Sequence, residues 1–178
     1  MKYLKVFSIF LFFTLNILAQ ERKSIEAYRF IEPPIVDGII SEDEWKKIKP
    51  AKNFTLFQPE IRSGEKIPSG YETYVYFGYD DNAIYVAAQL DHPDPKKIPS
   101  EFSERDEMDA ISEKFLISID TYDNTKERFT FFITSSGGLI DGLNSGDFDE
   151  DGLKLNTLFD AKVKKNEAGW STEVIIPY

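Results

Sequence analysis

One stretch near the N-terminus decides how the chain is arranged, and it reads Pro33-Pro34-Ile35-Val36-Asp37-Gly38-Ile39-Ile40-Ser41-Glu42-Asp43-Glu44-Trp45. Its two prolines restrict φ and lack N–H donors, so the chain arrives in an extended conformation. Asp37 and Gly38 then predict a turn, because glycine adopts positive φ and aspartate bonds to nearby backbone. Ser41 and Glu44 have the spacing of a capping box, which predicts that a helix begins here.

Trp45 is the residue that this helix is expected to bury. Trp45 and Ile48 lie on one face of a helix predicted over residues 41–49, and Pro50 ends it after about two turns. Ile40 precedes the cap and is placed to pack on Trp45 as a hydrophobic staple. We therefore interpret Trp45 as a core anchor at one end of a β-sandwich.

The rest of the chain has the alternation of apolar and polar residues that is typical of β-strands. No helical pattern follows residue 49, and turn signals recur about every 8–12 residues. This indicates an all-β protein, an antiparallel β-sandwich of jelly-roll or immunoglobulin-like type with one short N-terminal helix. The predicted strands are 54–57, 73–79, 83–90, 113–120, 127–134, 139–141, 157–164 and 170–176, after an edge-strand lead-in at 25–31.

Residues 1–20 have the features of a secretory signal peptide. Lys2 and Lys5 supply the basic start, residues 6–15 are almost wholly apolar, and a small residue precedes Gln20. The apolar run is shorter than the about 20 residues that span a membrane, which favours cleavage over an uncleaved anchor. We expect export to the periplasm, the outer membrane or the exterior. Residues 21–178 should form one domain, with its C-terminus truncated.

Charge and cysteine content narrow the classes of function. The 178 residues carry a net charge of −10, and the loss of residues 1–20 would remove two lysines and no acid. Such a surface repels nucleic acid and anionic lipid, and it suits neutral ligands or calcium better. The chain has no cysteine, which excludes disulfides, thiolate metal sites and a lipid-modified N-terminal cysteine.

Several short motifs follow one another in the order found in a known family. After the opening stretch come Thr73 leading to Tyr79-Asp80, Ile84-Tyr85-Val86, Arg105-Asp106, Asp120-Thr121, Gly138 with Asp141, and Gly169-Trp170-x-x-Glu173-x-x-Ile176-Pro177-Tyr178. On these residues the chain resembles the carbohydrate-binding module family 9-like domain, in the version found at the N-terminus of secreted or outer-membrane proteins of the DUF5916 family. The resemblance covers almost all of the chain after residue 20.

The resemblance implies a β-sandwich that binds polysaccharide or oligosaccharide in connection with polysaccharide breakdown, with structural calcium in some members. It also implies a continuation after Tyr178 into a C-terminal β-barrel or another outer-membrane partner. Sugar-binding members hold a terminal sugar between two Trp side chains. In this chain both tryptophans, Trp45 and Trp170, belong to the fold motifs, and residues 155–159, where related chains often carry Trp, have none.

Three tyrosines are therefore the best candidates for a sugar platform. Tyr74, Tyr76 and Tyr85 are predicted to share one face of the hairpin formed by strands 73–79 and 83–90, with Gln89 beside them. A tyrosine ring can stack on the C–H face of a sugar, while Gln89 bonds to a hydroxyl. The alternative is that this face packs against other side chains.

Alternating acids at Asp147, Asp149 and Asp151 resemble the start of a calcium-binding loop. An EF-hand would need a glutamate at the twelfth position, where this chain has Leu158, and no helices flank the loop. We therefore expect a looser structural Ca²⁺ site at these three aspartates, or else a solvated acidic turn.

Arg105 lies in a long acidic loop, where it either bonds to sugar hydroxyls or orders the loop through an ion pair with a carboxylate.

No arrangement of residues predicts catalysis. His92 is the only histidine, so a Ser/His/Asp triad has no support, and there is no glycine-rich phosphate loop. We expect a secreted, non-catalytic carbohydrate-binding module that does not bind nucleic acid. The alternatives are a structural or docking module of a larger outer-membrane protein without sugar binding, and part of a glycoside hydrolase, whose activity would reside in a larger parent protein.

Overall fold

The computed structural model describes residues 23–40, 43–124, 126–145 and 155–178, which form two packed β-sheets. The strands are β1 (Tyr28–Arg29), β2 (Thr73–Tyr79), β3 (Ala83–Asp91), β4 (Lys114–Ile119), β5 (Glu127–Thr134), β6 (Leu139–Ser145), β7 (Asp160–Lys165) and β8 (Gly169–Pro177), and the one α-helix is α1 (Asp43–Lys46). The predicted all-β class and antiparallel β-sandwich are confirmed.

The larger sheet has five strands in the order β1-β2-β3-β8-β7. The predicted hairpin of β2 and β3 is confirmed, with Val75 opposite Ala88. β8 pairs in antiparallel orientation with β3 on one side and β7 on the other, which places the last strand inside the sheet. β1 joins the edge beside β2 and is the one parallel strand among those described.

The smaller sheet has three antiparallel strands in the order β4-β5-β6. The main core lies between the two sheets and follows the predicted alternation. Its fully buried members are Val75, Val86, Ala88, Ile98, Phe115, Ile117, Phe131, Ile133, Phe159, Ala161, Trp170, Val174 and Ile176. Burial of one large apolar side chain stabilises the fold by about 1.5–3 kcal/mol, so this layer is the main source of stability. The Trp170 indole also donates from Nε1 to Glu113 Oε2 at 2.8 Å.

A second apolar cluster lies on the opposite face of the five-stranded sheet. There the N-terminal segment packs onto β3 through Phe30, Trp45 and Ile48. The Phe30 ring lies directly over Gly78, where a Cβ atom would overlap it. Trp45 is 1% exposed, which confirms it as a core anchor. Its predicted position at one end of the sandwich is wrong, because the N-terminal segment lies across the outer face of the five-stranded sheet. Residues 30–40 and 43–50 therefore form a third layer over this sheet.

The helix is shorter than predicted. α1 spans only Asp43–Lys46, and one further turn follows, in which the Ile48 N–H donates to the Trp45 carbonyl at 3.0 Å. Ile40 packs against the same cluster, in agreement with the hydrophobic staple. Ser41 lies outside the described residues, so the capping box stays a prediction. This short helix and the turn that follows it bring Trp45 and Ile48 onto the sheet.

Three of the predicted strands differ most from the structure. Residues 54–57 are not a strand, because Thr55 makes only an isolated bridge to Lys66 and no longer partner runs alongside. The strand predicted at 157–164 begins at Asp160, because the Thr157 N–H donates instead to a side chain, that of Asp141. The strand predicted at 139–141 continues to residue 145, since β5 pairs with it over that length.

The signal peptide predicted at residues 1–20 lies outside the described residues and stays a prediction. Among the helices of the four described ranges, none is both long and apolar enough to cross a membrane.

Candidate functional site

A buried carboxylate on β8 holds the N-terminal layer in place. Glu173 is 0% exposed, and its Oε2 accepts the backbone N–H groups of Asp37 at 2.9 Å and Gly38 at 2.8 Å. Its Oε1 accepts the Trp45 indole N–H at 2.6 Å. Gly38 has φ +88°, and its backbone packs against Lys162 and Val163 of β7. These contacts fix the turn at Asp37 and Gly38 against β7 and β8.

The N-terminal layer covers one of the three predicted platform tyrosines. Tyr85 is 3% exposed, and its ring packs edge-on against Phe30 at 5.6 Å between centroids. Its hydroxyl donates to Asp80 Oδ2 at 3.0 Å. Burial, together with this bond, raises the pKa of Tyr85 to about 12. Tyr85 thus belongs to the second core and has no open ring face for a sugar, which corrects its predicted role.

Tyr76 is only partly covered by the N-terminal layer. It is half-buried, and its ring centroid lies 6.2 Å from that of Trp45 at a tilt of 60°. Burial raises the pKa of Tyr76. The ring therefore supports the N-terminal layer, and only part of it is left for contact with a ligand.

Tyr74 is the predicted tyrosine that lines an open groove. The groove has a volume of about 580 Å³ and lies at the edge of the sheet next to the start of β2. It is lined by Lys52, Asn53, Phe54, Thr55, Lys66, Ile67, Glu72, Thr73 and Tyr74. The Phe54 side chain is 40% exposed, so the groove has two aromatic rings among polar groups.

Two isolated bridges build the walls of this groove. Ala51 pairs with Val75 in antiparallel fashion, which carries the next residues past the start of β2. Thr55 then bridges to Lys66 and turns the chain back. Gly70, with φ +89°, donates its N–H to Glu72 Oε2 at 2.8 Å and brings the chain into β2. The groove is thus formed by chain segments with little regular structure, where ligand sites commonly occur.

Gln89 lies beside Tyr74, but its side chain already forms hydrogen bonds within the protein. The two residues are register partners across β2 and β3. The Gln89 amide donates to Asp91 Oδ1 at 3.1 Å, and its Oε1 accepts the Asn166 side-chain N–H at 2.9 Å. A sugar hydroxyl would have to compete with these bonds. The structure therefore brings Tyr74, Tyr76 and Gln89 onto one face, with only Tyr74 in an open groove.

Arg105 lies elsewhere, at the boundary between the two sheets. Its guanidinium forms an ion pair with the buried Asp141 and donates to the Thr157 carbonyl at 3.1 Å. It also stacks over the Phe159 ring, 5.3 Å from the centroid. Asp141 Oδ2 in turn accepts the Thr157 N–H at 2.6 Å and the Thr157 hydroxyl at 2.7 Å. This is the ion pair that the sequence offered as one of two roles for Arg105, and it joins the long loop to residues 155–159.

The predicted calcium site cannot be placed. Asp147, Asp149 and Asp151 lie outside the described residues, so the site stays a prediction. Within the described ranges, no group of three or more His, Cys, Asp or Glu side chains is arranged to hold a metal ion.

Comparison with known proteins identifies solved structures of similar fold. No family model and no curated protein matches the chain. The chain shares its fold with carbohydrate-binding modules of family 9. One such module from Caldicellulosiruptor kristjanssonii, in complex with glucose, has a TM-score of 0.53 at 15% identity, covering 88% of this chain and 69% of that one. Its complex with cellotriose also has a TM-score of 0.53, at 16% identity, covering 86% and 67%.

Both tryptophans of this chain are committed to its two cores. Trp45 and Trp170 are 1% and 0% exposed, so neither ring is open to a sugar. Sequence reasoning missed Phe54, Lys52 and Lys66, which share the groove with Tyr74. The sequence did contain a signal for this groove, namely an aromatic-rich segment at 54–57 next to a polar loop. We interpreted that segment as a strand and not as part of a binding site.

Proposed function

We propose that this protein is a non-catalytic carbohydrate-binding module whose ligand binds in the groove beside Tyr74. The observation that carries the proposal is the groove itself, where Tyr74 and Phe54 lie among lysine, asparagine, threonine and glutamate side chains. Support also comes from the fold, which is shared with modules solved in complex with glucose and cellotriose. The sugar ring would stack on an aromatic ring, and its hydroxyls would bond to the polar groups.

The polar groups of the groove match the chemistry of sugar hydroxyls, which both donate and accept hydrogen bonds. Asn53 and Thr55 offer side chains with both functions, while Lys52 and Lys66 can only donate. Glu72 accepts. Such a mixture around a flat ring favours a hydroxylated ligand over a purely apolar one. No chemistry on the ligand is part of this proposal.

In the cell, we place the module outside the cytoplasm. Residues 1–20 would direct export to the periplasm, the outer membrane or the exterior. The module would then hold polysaccharide for a larger machinery that degrades it, in the manner implied by the DUF5916 resemblance. Any hydrolase activity would belong to that larger protein or partner. We also propose that Asp147, Asp149 and Asp151 bind a structural calcium ion.

A second candidate function is a docking module that binds no sugar. The observation that favours it is the burial of both tryptophans and of Tyr85, which leaves Tyr74 and Phe54 as the rings of the groove. In that case the fold would serve as a rigid spacer against an outer-membrane partner.

Affinity electrophoresis of the purified protein in gels containing soluble glycans, with and without calcium, tests the proposal. Retardation that is lost in Tyr74→Ala and kept in Tyr122→Ala would support it, since Tyr122 is a 69% exposed loop residue away from the groove. Circular dichroism would show that both variants are folded. An absence of retardation on every glycan would favour the docking module, and release of reducing ends would show that the protein is an enzyme.

A further inference from the structure

The groove beside Tyr74 carries positive charge on an acidic protein. Lys52 and Lys66 line it, and Lys23 lies alongside, where its Nζ donates to the Asn53 carbonyl at 3.2 Å. All three lysines are exposed. The whole chain has a net charge of −10, so the groove is a local reversal of the sign that prevails over the surface.

The ammonium groups in the groove are not neutralised by neighbouring acids. In the part of the chain that the structure describes, neither Lys52 nor Lys66 forms a salt bridge, whereas Lys46 pairs with an acid at 3.1 Å. Of the residues that line the groove, only Glu72 is acidic, and its Oε2 already accepts a backbone N–H. Positive charge in the groove therefore exceeds negative charge.

We propose that the groove selects acidic saccharides, whose rings carry a carboxylate or a sulfate group. This inference rests on the proposed function, because Tyr74 would hold the sugar ring while Lys52 and Lys66 bind the anionic group. A hydroxyl of a neutral sugar can accept a hydrogen bond from either ammonium group, but it adds no attraction between opposite charges. Lysine is a flexible point charge, which suits an anion at differing positions on the ring.

The acidity of the remaining surface limits the size of the ligand. Charges act over a Debye length of about 8 Å at physiological ionic strength, so a polyanion that extends past the groove meets repulsion. A short acidic oligosaccharide, or the end of an acidic chain, avoids most of that repulsion. The groove therefore favours short acidic saccharides over long stretches of an acidic polymer.

Isothermal titration of the protein with three probes tests this inference. The probes are trigalacturonate, a sulfated galactose oligosaccharide of similar length, and the neutral cellotriose. In low salt at least one acidic probe should bind about tenfold more tightly than cellotriose, as expected for two solvent-exposed charge contacts, and high salt should remove the difference. The acidic probe that binds more tightly identifies the anion.

Variants separate this inference from the proposed function. Lys52→Gln/Lys66→Gln should lose the preference for acidic probes, because it should weaken their binding about tenfold more than the binding of cellotriose, to which the glutamine side chains can still donate. The matched Lys96→Gln/Lys164→Gln, with both lysines exposed outside the groove, should leave the affinities and the preference unchanged. Equal affinity for all three probes, or a preference that survives Lys52→Gln/Lys66→Gln, overturns the inference and leaves the proposed function standing. An absence of binding to any probe overturns both.

Discussion

Trp45 and Glu173 are 128 positions apart in the chain, and the indole N–H of one donates to the carboxylate of the other at 2.6 Å in a buried site. The same carboxylate accepts the backbone N–H groups of Asp37 and Gly38. One side chain of β8 thus accepts hydrogen bonds from both the turn at residues 37–38 and the tryptophan of α1. The opening motif and the last strand are two halves of one structural unit.

Glu173→Gln should therefore destabilise the protein strongly. A glutamine has one acceptor oxygen, and its NH₂ group would meet an N–H donor where Glu173 now accepts. Since hydrogen bonds to charged groups contribute about 1.5–3 kcal/mol each, we expect a loss of about 2–4 kcal/mol in the free energy of unfolding, measured by urea denaturation.

The paired variant Trp45→Phe keeps an aromatic ring but removes the indole donor. A double-mutant cycle with Glu173→Gln should show a coupling energy of about 1 kcal/mol or more. Glu167→Gln, in an exposed turn, is the control and should change stability little. Strictly additive effects would mean that the bond between Trp45 and Glu173 does not contribute.

Gly78→Ala should destabilise the second core, because the added Cβ would overlap the Phe30 ring. Overpacking of this kind costs about 1–3 kcal/mol, and thermal unfolding followed by circular dichroism would measure it. In a Phe30→Ala background the ring is gone, so the same substitution should cost much less. An equal cost in both backgrounds would contradict the contact.

Arg105→Ala should lower stability even in the absence of any ligand. Asp141 has a 0% exposed side chain, and once the guanidinium is removed the donors left to its carboxylate among the described residues are those of Thr157. Breaking a buried pair by removal of one partner costs about 3–5 kcal/mol, and we expect about 2–4 kcal/mol here because those donors remain.

Arg62→Ala is the matched control for the Arg105 prediction, since Arg62 forms an exposed ion pair with Glu65 whose side chains are 50% and 51% exposed. Its loss should cost less than about 1 kcal/mol. If chemical denaturation found Arg105→Ala as stable as the parent protein, the guanidinium would be free for a ligand and the structural role would be wrong.

Stability at alkaline pH should depend on Tyr85. Its pKa is raised to about 12 in the folded protein, chiefly by burial, whereas the unfolded value is about 10. The neutral phenol therefore stabilises the fold fully below about pH 10, and this contribution is lost as the pH rises toward 12. Over that interval the parent protein should lose up to about 3 kcal/mol more than Tyr85→Phe.

Urea denaturation at a series of pH values would measure this difference. At neutral pH, Tyr85→Phe should be less stable by about 1 kcal/mol, because it lacks the hydroxyl that donates to Asp80. Tyr122→Phe, in an exposed loop, should follow the parent protein at every pH. Parallel pH profiles for the parent and Tyr85→Phe would show that the phenol is not perturbed.

Local patterns in the sequence were sufficient to predict most of the strands and the β-sandwich class. Alternation along 73–79 and 83–90 correctly predicted the hairpin, because strand geometry places alternate side chains on opposite faces. The same rule correctly placed Tyr74, Tyr76 and Tyr85 on one face. It could not show that Phe30 packs on Tyr85 and Trp45 packs beside Tyr76, since these contacts depend on a segment far away in sequence.

The candidate site was predictable only in part for a similar reason. Tyr74 was found because an aromatic residue on a strand face is a recognisable signal. Lys52 and Lys66 were not found, because two isolated bridges bring them to Tyr74 and such bridges leave no periodic pattern. Glu173 appeared only as a family motif, and its role became visible once β8 was placed inside the sheet.

The bond between Trp45 and Glu173 also has a kinetic consequence. Asp37, Gly38 and Trp45 donate hydrogen bonds to Glu173 on the last strand, and these contacts close a loop of more than a hundred residues. Contacts of such large sequence separation slow folding, because the entropy of loop closure is lost before the contacts form. During synthesis the N-terminal segment is made first, but it cannot form these hydrogen bonds until β8 has left the ribosome. The N-terminal layer is therefore expected to be among the last parts of the protein to reach its native state.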